Sequence, residues 1–226
     1  MSEIVSVAYA AEQFTRTYDY VPVGVWSAPG RANLIGEHTD YNAGLVLPFA
    51  IDRRTYAAIS LRNDSLVRVT SSFSEITHEI ELSQIRHNPE NNWAAYPFGV
   101  AWAIQHLTKE PGLGFDAYFD SDVPVGSGLS SSAAIECSIG LALNDLWDTS
   151  LNRQALARVG QLAENEIVGA PTGIMDQSAS LLGERDHAVF LDCKSLEAQS
   201  IELGFDAENL ELMIIDTQVA HRLTDG

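Results

Sequence analysis

The sequence predicts one α+β domain, and three observations predict it. Short runs rich in Val, Ile and Thr, broken by turn residues, crowd the first third of the chain. Longer stretches with helical apolar periodicity dominate the remaining two thirds. No Pro/Gly/Ser-rich linker separates the two regions, so they read as one unit spanning residues 1–226.

Ala8 to Tyr18 reads as a short amphipathic helix. Val23 to Ala28 alternates and reads as a strand feeding a polar loop. Gly44 to Phe49, Tyr56 to Leu61, Val67 to Ser72 and Thr77 to Leu82 read as further strands, punctuated by Asn63-Asp64 and Ser74-Glu75. Asn92 to Leu107 has a capping residue and an apolar face and reads as a helix. Phe115 to Asp120 is a strand. Ser130 to Trp147, Asn152 to Val168 and Ile174 to Leu182 read as helices. Val189 to Cys193 and Leu212 to Asp216 are short apolar runs suited to strands.

Composition narrows the function. With 46% apolar residues the chain can bury a sizeable core. No apolar run is long enough for a membrane-spanning helix, and the N-terminus has no charged-then-apolar leader. Cys137 and Cys193 are the only cysteines, which excludes a disulfide scaffold or a zinc cluster and suits a reducing cytoplasm. A formal charge of −18 argues against nucleic acid as a partner. Any phosphate ligand must be held by local devices: backbone amides, a helix start, a metal ion, a few placed cations.

Three segments carry chemistry. Ala28-Pro29-Gly30-Arg31-Ala32-Asn33-Leu34-Ile35-Gly36-Glu37-His38-Thr39-Asp40-Tyr41-Asn42 is a poor recipe for a helix or strand and a good one for a polar loop. Glu37, His38 and Asp40 supply acceptors and donors close together, which sugar hydroxyls need and a solvated acidic loop also shows. In Pro124-Val125-Gly126-Ser127-Gly128-Leu129-Ser130-Ser131-Ser132, glycines permit close backbone approach and the serines open a helix whose first N–H groups could point at an anion. An ordinary Gly-Ser loop before a buried helix has the same letters, and no lysine comes next as in a P-loop. Asp176, after Pro171-Thr172-Gly173, sits where a turn feeds a helix, and an acidic residue there also serves a helix dipole. Glu164 reads equally as a solvated helix face beside Glu166. Trp93 and Tyr96 lie one helical turn apart and equally suit a core.

Taken together, the three segments and their order resemble the galactokinases of the GHMP small-molecule kinase superfamily. The resemblance runs from about Pro22 to the C-terminus. It implies the GHMP kinase N-terminal domain (ribosomal protein S5 domain 2-like) and ATP-dependent phosphorylation of D-galactose at its anomeric hydroxyl. By resemblance Asp176 is catalytic with Arg31 as its cation, and Glu37, His38, Asp40 and Gly173 bind the sugar. Trp93 and Tyr96 line the adenine pocket. Gly126, Ser127, Gly128, Leu129, Ser130, Ser131 and Ser132 cradle the ATP phosphates, and Ser131 with Glu164 holds Mg²⁺, a cation content with few protein oxygens. A monomeric cytoplasmic enzyme without membrane or nucleic-acid partners is implied.

Two alternatives share the fold: a galactose and ATP sensor without turnover, and a kinase for another sugar such as N-acetylgalactosamine. Thr39 between His38 and Asp40 fits the galactokinase form of the signature. Thr172 stands where many relatives carry cysteine, and Ser178 where an aromatic is usual. Val219-Ala220-His221-Arg222 resembles the segment before a sugar-packing tyrosine that is not reached. The expectation is therefore an N-terminal portion without the family's C-terminal domain, inactive on its own.

Overall fold

The computed structural model describes residues 5–86, 92–205 and 207–215. The elements run α1 (Val7–Tyr18), β1 (Gly24–Asn33), β2 (Leu45–Val46), β3 (Pro48–Leu61), β4 (Leu66–Ser71), β5 (Ser74–Glu81), α2 (Ala95–Thr108) and β6 (Phe115–Ser121). They continue with α3 (Ser131–Leu146), α4 (Arg153–Ala163), a π-helical turn (Glu164–Val168), α5 (Met175–Leu182), β7 (His187–Asp192) and β8 (Ala198–Glu202). This is the predicted α+β class.

One sheet has the order β1-β3-β6-β4-β5, antiparallel throughout except for the parallel pair β4/β6. Its inner strands are apolar on both faces because both are covered. Ala57 and Ile59 of β3, Val67 and Val69 of β4, and Phe115, Ala117 and Phe119 of β6 pack against Val100, Ile104, Ile139 and Leu143 of α2 and α3. The opposite face presents Ala58 and Tyr118 to Ala10, Phe14 and Tyr18 of α1. Ser6 caps α1 by accepting the Tyr9 N–H, and Asn152 caps α4 by accepting that of Ala155. A smaller sheet, β2-β7-β8, is antiparallel and lies over α5, with Val46, Val189 and Leu191 meeting Met175 and Leu181.

Several boundaries differ from the sequence reading. The two strands expected at Gly44–Phe49 and Tyr56–Leu61 are a two-residue β2 and a single fourteen-residue β3. Polar Asp52-Arg53-Arg54 lies within β3: Arg54 pairs with Pro29, and Asp52 and Arg53 fall at the register shift before Ala50 pairs with Arg31. The signature run is strand as far as Asn33. Arg31, Ala32 and Asn33 pair with Ala50, Phe49 and Pro48 beyond a register shift at Pro29. A proline is tolerated there because β1 is an edge strand. β8 was not expected, and Glu211–Ile215 has no strand; Asp216 and Val219–Arg222 lie outside the described residues.

Candidate active site

The edge strand β1 carries Arg31 to the start of α3. Its guanidinium meets Asp176 bidentately, Nε to Oδ1 and Nη2 to Oδ2, both at 2.8 Å. Its Nη1 donates to the Gly128 carbonyl at 2.5 Å, and its backbone N–H to Leu129 O at 3.1 Å. This planar, two-toothed pairing is what a guanidinium does and an ammonium does not. Asp176 sits in the first turn of α5, but its partners are in β1 and the loop before α3, so it is more than a dipole residue. Ser130 Oγ also donates to it.

Gly126 and Gly128 both adopt positive φ (70° and 77°), the region that favours glycine. Ser130 is left-handed as well (φ 58°) and stands at the N-cap of α3 without capping it, because its hydroxyl is turned to Asp176. The first N–H groups of α3 therefore face the loop without a side-chain cap, the polarity an anion prefers.

The sugar-type loop is tied down at both ends. β2 pairs with β7, and the Thr39 hydroxyl donates to Gly36 O at 2.8 Å and Leu45 O at 2.9 Å. His38 is exposed, left-handed (φ 61°), and its Nδ1 lies 2.7 Å from the Tyr41 hydroxyl. Glu37 is exposed beside it. Asp40 reaches inward to lie against Gly173, where any Cβ would fall on its carboxylate. Asp40 also helps push the Cys193 thiol up to about 11, after the larger effect of burial. The structure thus brings Asp40, Gly173, Asp176, Arg31 and Ser130 into one neighbourhood, from separate stretches of chain.

Glu164 is not on a solvated helix face. It opens the π-helical turn after α4 and is 3% exposed. The turn widens the helix so that both Gly169 and Ala170 N–H reach the Glu164 carbonyl (2.8 and 3.0 Å). Its carboxylate accepts from Thr172 Oγ1 and from Gln177 Nε2 at 3.2 Å. Burial and the nearby Asp176 push its pKa up, against the pull of hydrogen bonding. Ser131 is the first residue of α3. Thr172, which the sequence marks only as a departure from the family pattern, is a partner of this carboxylate.

Trp93 is placed in the core, edge-on to Phe73, His78 and Phe119 at 5.1, 5.9 and 5.7 Å. Tyr96 is partly buried against Ala95, Val168 and Ala170, and burial followed by the charges of Glu164 and Glu136 raises its phenol pKa. Sequence reasoning missed Glu136, which is 1% exposed in the middle of α3 and accepts from Gln177 Nε2 at 2.9 Å. The signal was available: a single acid inside the apolar stretch of the helix Ser131–Leu146 is abnormal unless partnered. Two cavities, of about 310 and 150 Å³, are lined by none of these site residues.

A family model described as the galactokinase galactose-binding signature matches residues 12–61, and one for the GHMP kinases N terminal domain matches residues 95–184. A galactokinase from Streptomyces coelicolor is 45% identical over 216 residues, covering 95% of this chain and 56% of its own length. One from Chloroflexus aurantiacus is 42% identical over 219 residues, covering 96% and 54%. The chain spans about half the length of the curated relatives it matches. The solved structure of Lactococcus lactis galactokinase complexed with galactose superposes with a TM-score of 0.79 at 34% identity, over 86% of this chain and 51% of that one. A Methanococcus jannaschii mevalonate kinase, at 20% identity and a TM-score of 0.66 over 81% and 57%, shares the fold. By its signature loop, its phosphate loop and the half of its relatives that it matches, the chain carries a GHMP kinase N-terminal domain and is similar to the galactokinases over about half their length.

Proposed function

We propose that the protein transfers the γ-phosphoryl group of ATP to the anomeric hydroxyl of D-galactose, giving ADP and α-D-galactose 1-phosphate, as a cytoplasmic monomer. The observation that carries this reading is the Arg31–Asp176 pair held at the uncapped start of α3, with Asp40 packed on Gly173 beside it. Asp40, with Glu37 and His38 on the same loop, would take the sugar hydroxyls. Asp176 would accept the proton of the anomeric hydroxyl as its oxygen bonds to phosphorus and the bond to the ADP oxygen breaks. Arg31, bridging Asp176 and the Gly128 carbonyl, would offset charge on the transferring group. The backbone from Gly126 to Leu129 and the serines Ser127 and Ser130 to Ser132 would receive the phosphates.

The residues present fit Mg²⁺. The donors at the head of α3 are hard oxygens, and among the described residues no group of three or more His, Cys, Asp and Glu is gathered for a metal ion. An ion with few protein ligands, completed by phosphate and water, matches that set. Glu164 and Ser131 would hold it, with Thr172 and Gln177 orienting Glu164; when bound, it would supply positive charge to the phosphates. Trp93 and Tyr96, both partly exposed near the start of α2, would border the adenine, with Trp93 anchored in the core behind.

The test is ADP release by the full-length protein with galactose, N-acetylgalactosamine and mevalonate, with the phosphorylated product identified by phosphorus NMR. Galactose should be turned over at least about tenfold better than the others, a difference of about 1.4 kcal/mol in transition-state binding. A preference for either competitor would overturn the reading.

A further inference from the structure

Behind the phosphate loop, one amide nitrogen joins three helical segments. Gln177 Nε2 donates to Glu136 Oε2 at 2.9 Å and to Glu164 Oε2 at 3.2 Å. Glu136 belongs to α3, Glu164 to the π-helical turn, and Gln177 comes directly after Asp176 in α5. Glu136 and Gln177 are each 1% exposed. A fourth segment makes room for them: a Cβ on Gly160 of α4 would lie 2.7 Å from Gln177 Cγ and 3.2 Å from Glu136 Oε2. Two atoms of this pair, Glu136 Oε1 and Gln177 Oε1, are buried without a hydrogen-bond partner. Burying such oxygens is unfavourable unless something is gained. A leucine of similar volume would satisfy the packing of α3 better, so packing does not explain Glu136.

We propose that Glu136 is a positioning residue for phosphoryl transfer: it grips the Gln177 amide and thereby fixes the orientation of Glu164 and of the α5 turn that presents Asp176. This rests on the phosphoryl-transfer reading of the site. The geometry supplies the reason. Glu164 has its backbone in a π-helical turn, a looser ring than an α-helix, so its carboxylate needs side-chain partners to hold one direction. Of those partners Thr172 lies in the loop before α5, whereas Gln177 is tied to the middle of α3 through Glu136. Groups that orient a ligand to a metal typically change its metal affinity about 10- to 100-fold when removed.

The test uses the full-length protein and three variants, Glu136→Ala, Glu136→Leu and Glu136→Gln. ATP affinity is measured by calorimetry with and without Mg²⁺, and kcat and KM for galactose by ADP release. In the Leu and Ala variants the gain in ATP affinity on adding Mg²⁺ should shrink about tenfold. Their kcat should fall comparably while the galactose KM stays within about twofold, since the sugar loop is untouched. Glu136→Gln should stay within about twofold of wild type throughout, because an amide keeps an acceptor for Gln177 Nε2 and offers a donor to Gln177 Oε1. If the Ala variant does not fold, the volume-conserving Leu variant carries the measurement. A folded Leu variant with wild-type Mg²⁺ response and kcat would overturn the proposal, as would equal losses in Leu and Gln. The two readings separate: ADP release by the wild type tests the sugar, and the calorimetric ratio between variants tests the grip on Gln177.

Discussion

Asp116 and Glu136 are both carboxylates with almost no exposure, yet the fold treats them in opposite ways. Asp116, at the α1 side of the large sheet, is clasped by Arg68 (2.7 and 2.6 Å), Arg62 (3.2 Å) and the Tyr20 hydroxyl. Burial pushes its pKa up, but the hydrogen bonds from Arg68 and Tyr20 and the two arginine charges outweigh that and hold it low. Glu136, at the helical side, has an amide for a partner and Glu164 and Asp176 for electrostatic neighbours. Burial, then the charge of Glu164, holds its pKa well above the carboxylate range. The arginine at that side, Arg31, is engaged by Asp176. The first cluster is electrically finished and serves the fold. The second is left short of positive charge, which suits the cation site proposed above.

The comparison breaks most readily at Asp116. Removing it with Asp116→Ala leaves Arg68 unanswered and Arg62 with Asp64 alone, and should cost about 3–5 kcal/mol of folding stability. Denaturant unfolding would measure this, and kcat per folded molecule should not change. A loss under about 1 kcal/mol, the scale of an exposed pair, would mean that the clasp is ornamental.

Next in size is the chemical step. Asp176→Asn in the full-length protein should lower kcat about 10²-fold or more, with galactose affinity within roughly tenfold. Near-normal turnover would remove Asp176 from the mechanism. Asp40→Ala should weaken galactose binding roughly 10- to 150-fold, the scale of a lost hydrogen bond to a charged group, while sparing ATP. Calorimetry with the two ligands separately checks this. Glu164→Gln should raise the Mg²⁺ concentration needed for activity, whereas Glu166→Gln, on an exposed residue, should not; equal behaviour would show that burial had been misread as function.

The smallest effect sharpens the contrast by pH. The raised pKa of Glu136 means that its folded form holds a proton where the unfolded chain has released it. Its contribution is complete below the unfolded carboxylate value of about 4 and declines as pH rises towards the folded pKa. Asp116 has the opposite sign: its contribution is complete above about 4 and is lost as pH falls through its lowered folded value. Glu136→Gln should therefore gain stability relative to wild type as pH rises above about 4 towards the raised folded pKa of Glu136. Thermal melts across that range would show it, and a difference independent of pH would contradict it.

Much of this was legible in the chain. Helices α1 and α4 were readable because their apolar periodicity reflects one buried face, and α3 because it is a long apolar run buried on nearly every side. β4, β5, β6 and β7 were readable from their β-branched and aromatic runs. β8 was not, because Ala198-Gln-Ser-Ile-Glu is exposed along its length and its pairing with β7 is all that makes it a strand. The π-helical turn left no letter in the sequence; it exists to seat Glu164 under tertiary constraint. Arg31 and Asp176 were paired on family likeness alone, since 145 positions separate them and no local rule joins them. Trp93 was likewise expected at a pocket on family likeness alone, and its ring lies edge-on to Phe73, His78 and Phe119 while staying partly exposed.

Asp40 and Gly173 share one volume although they stand 133 positions apart in the numbering. For anyone seeking variants with altered sugar preference, that makes them a single design variable. Libraries that randomise position 40 while holding 173, or the reverse, will sample mostly collisions or holes. A smaller residue at 40 frees the space for a side chain at 173, and a saturation library should therefore vary the two together and score the pair.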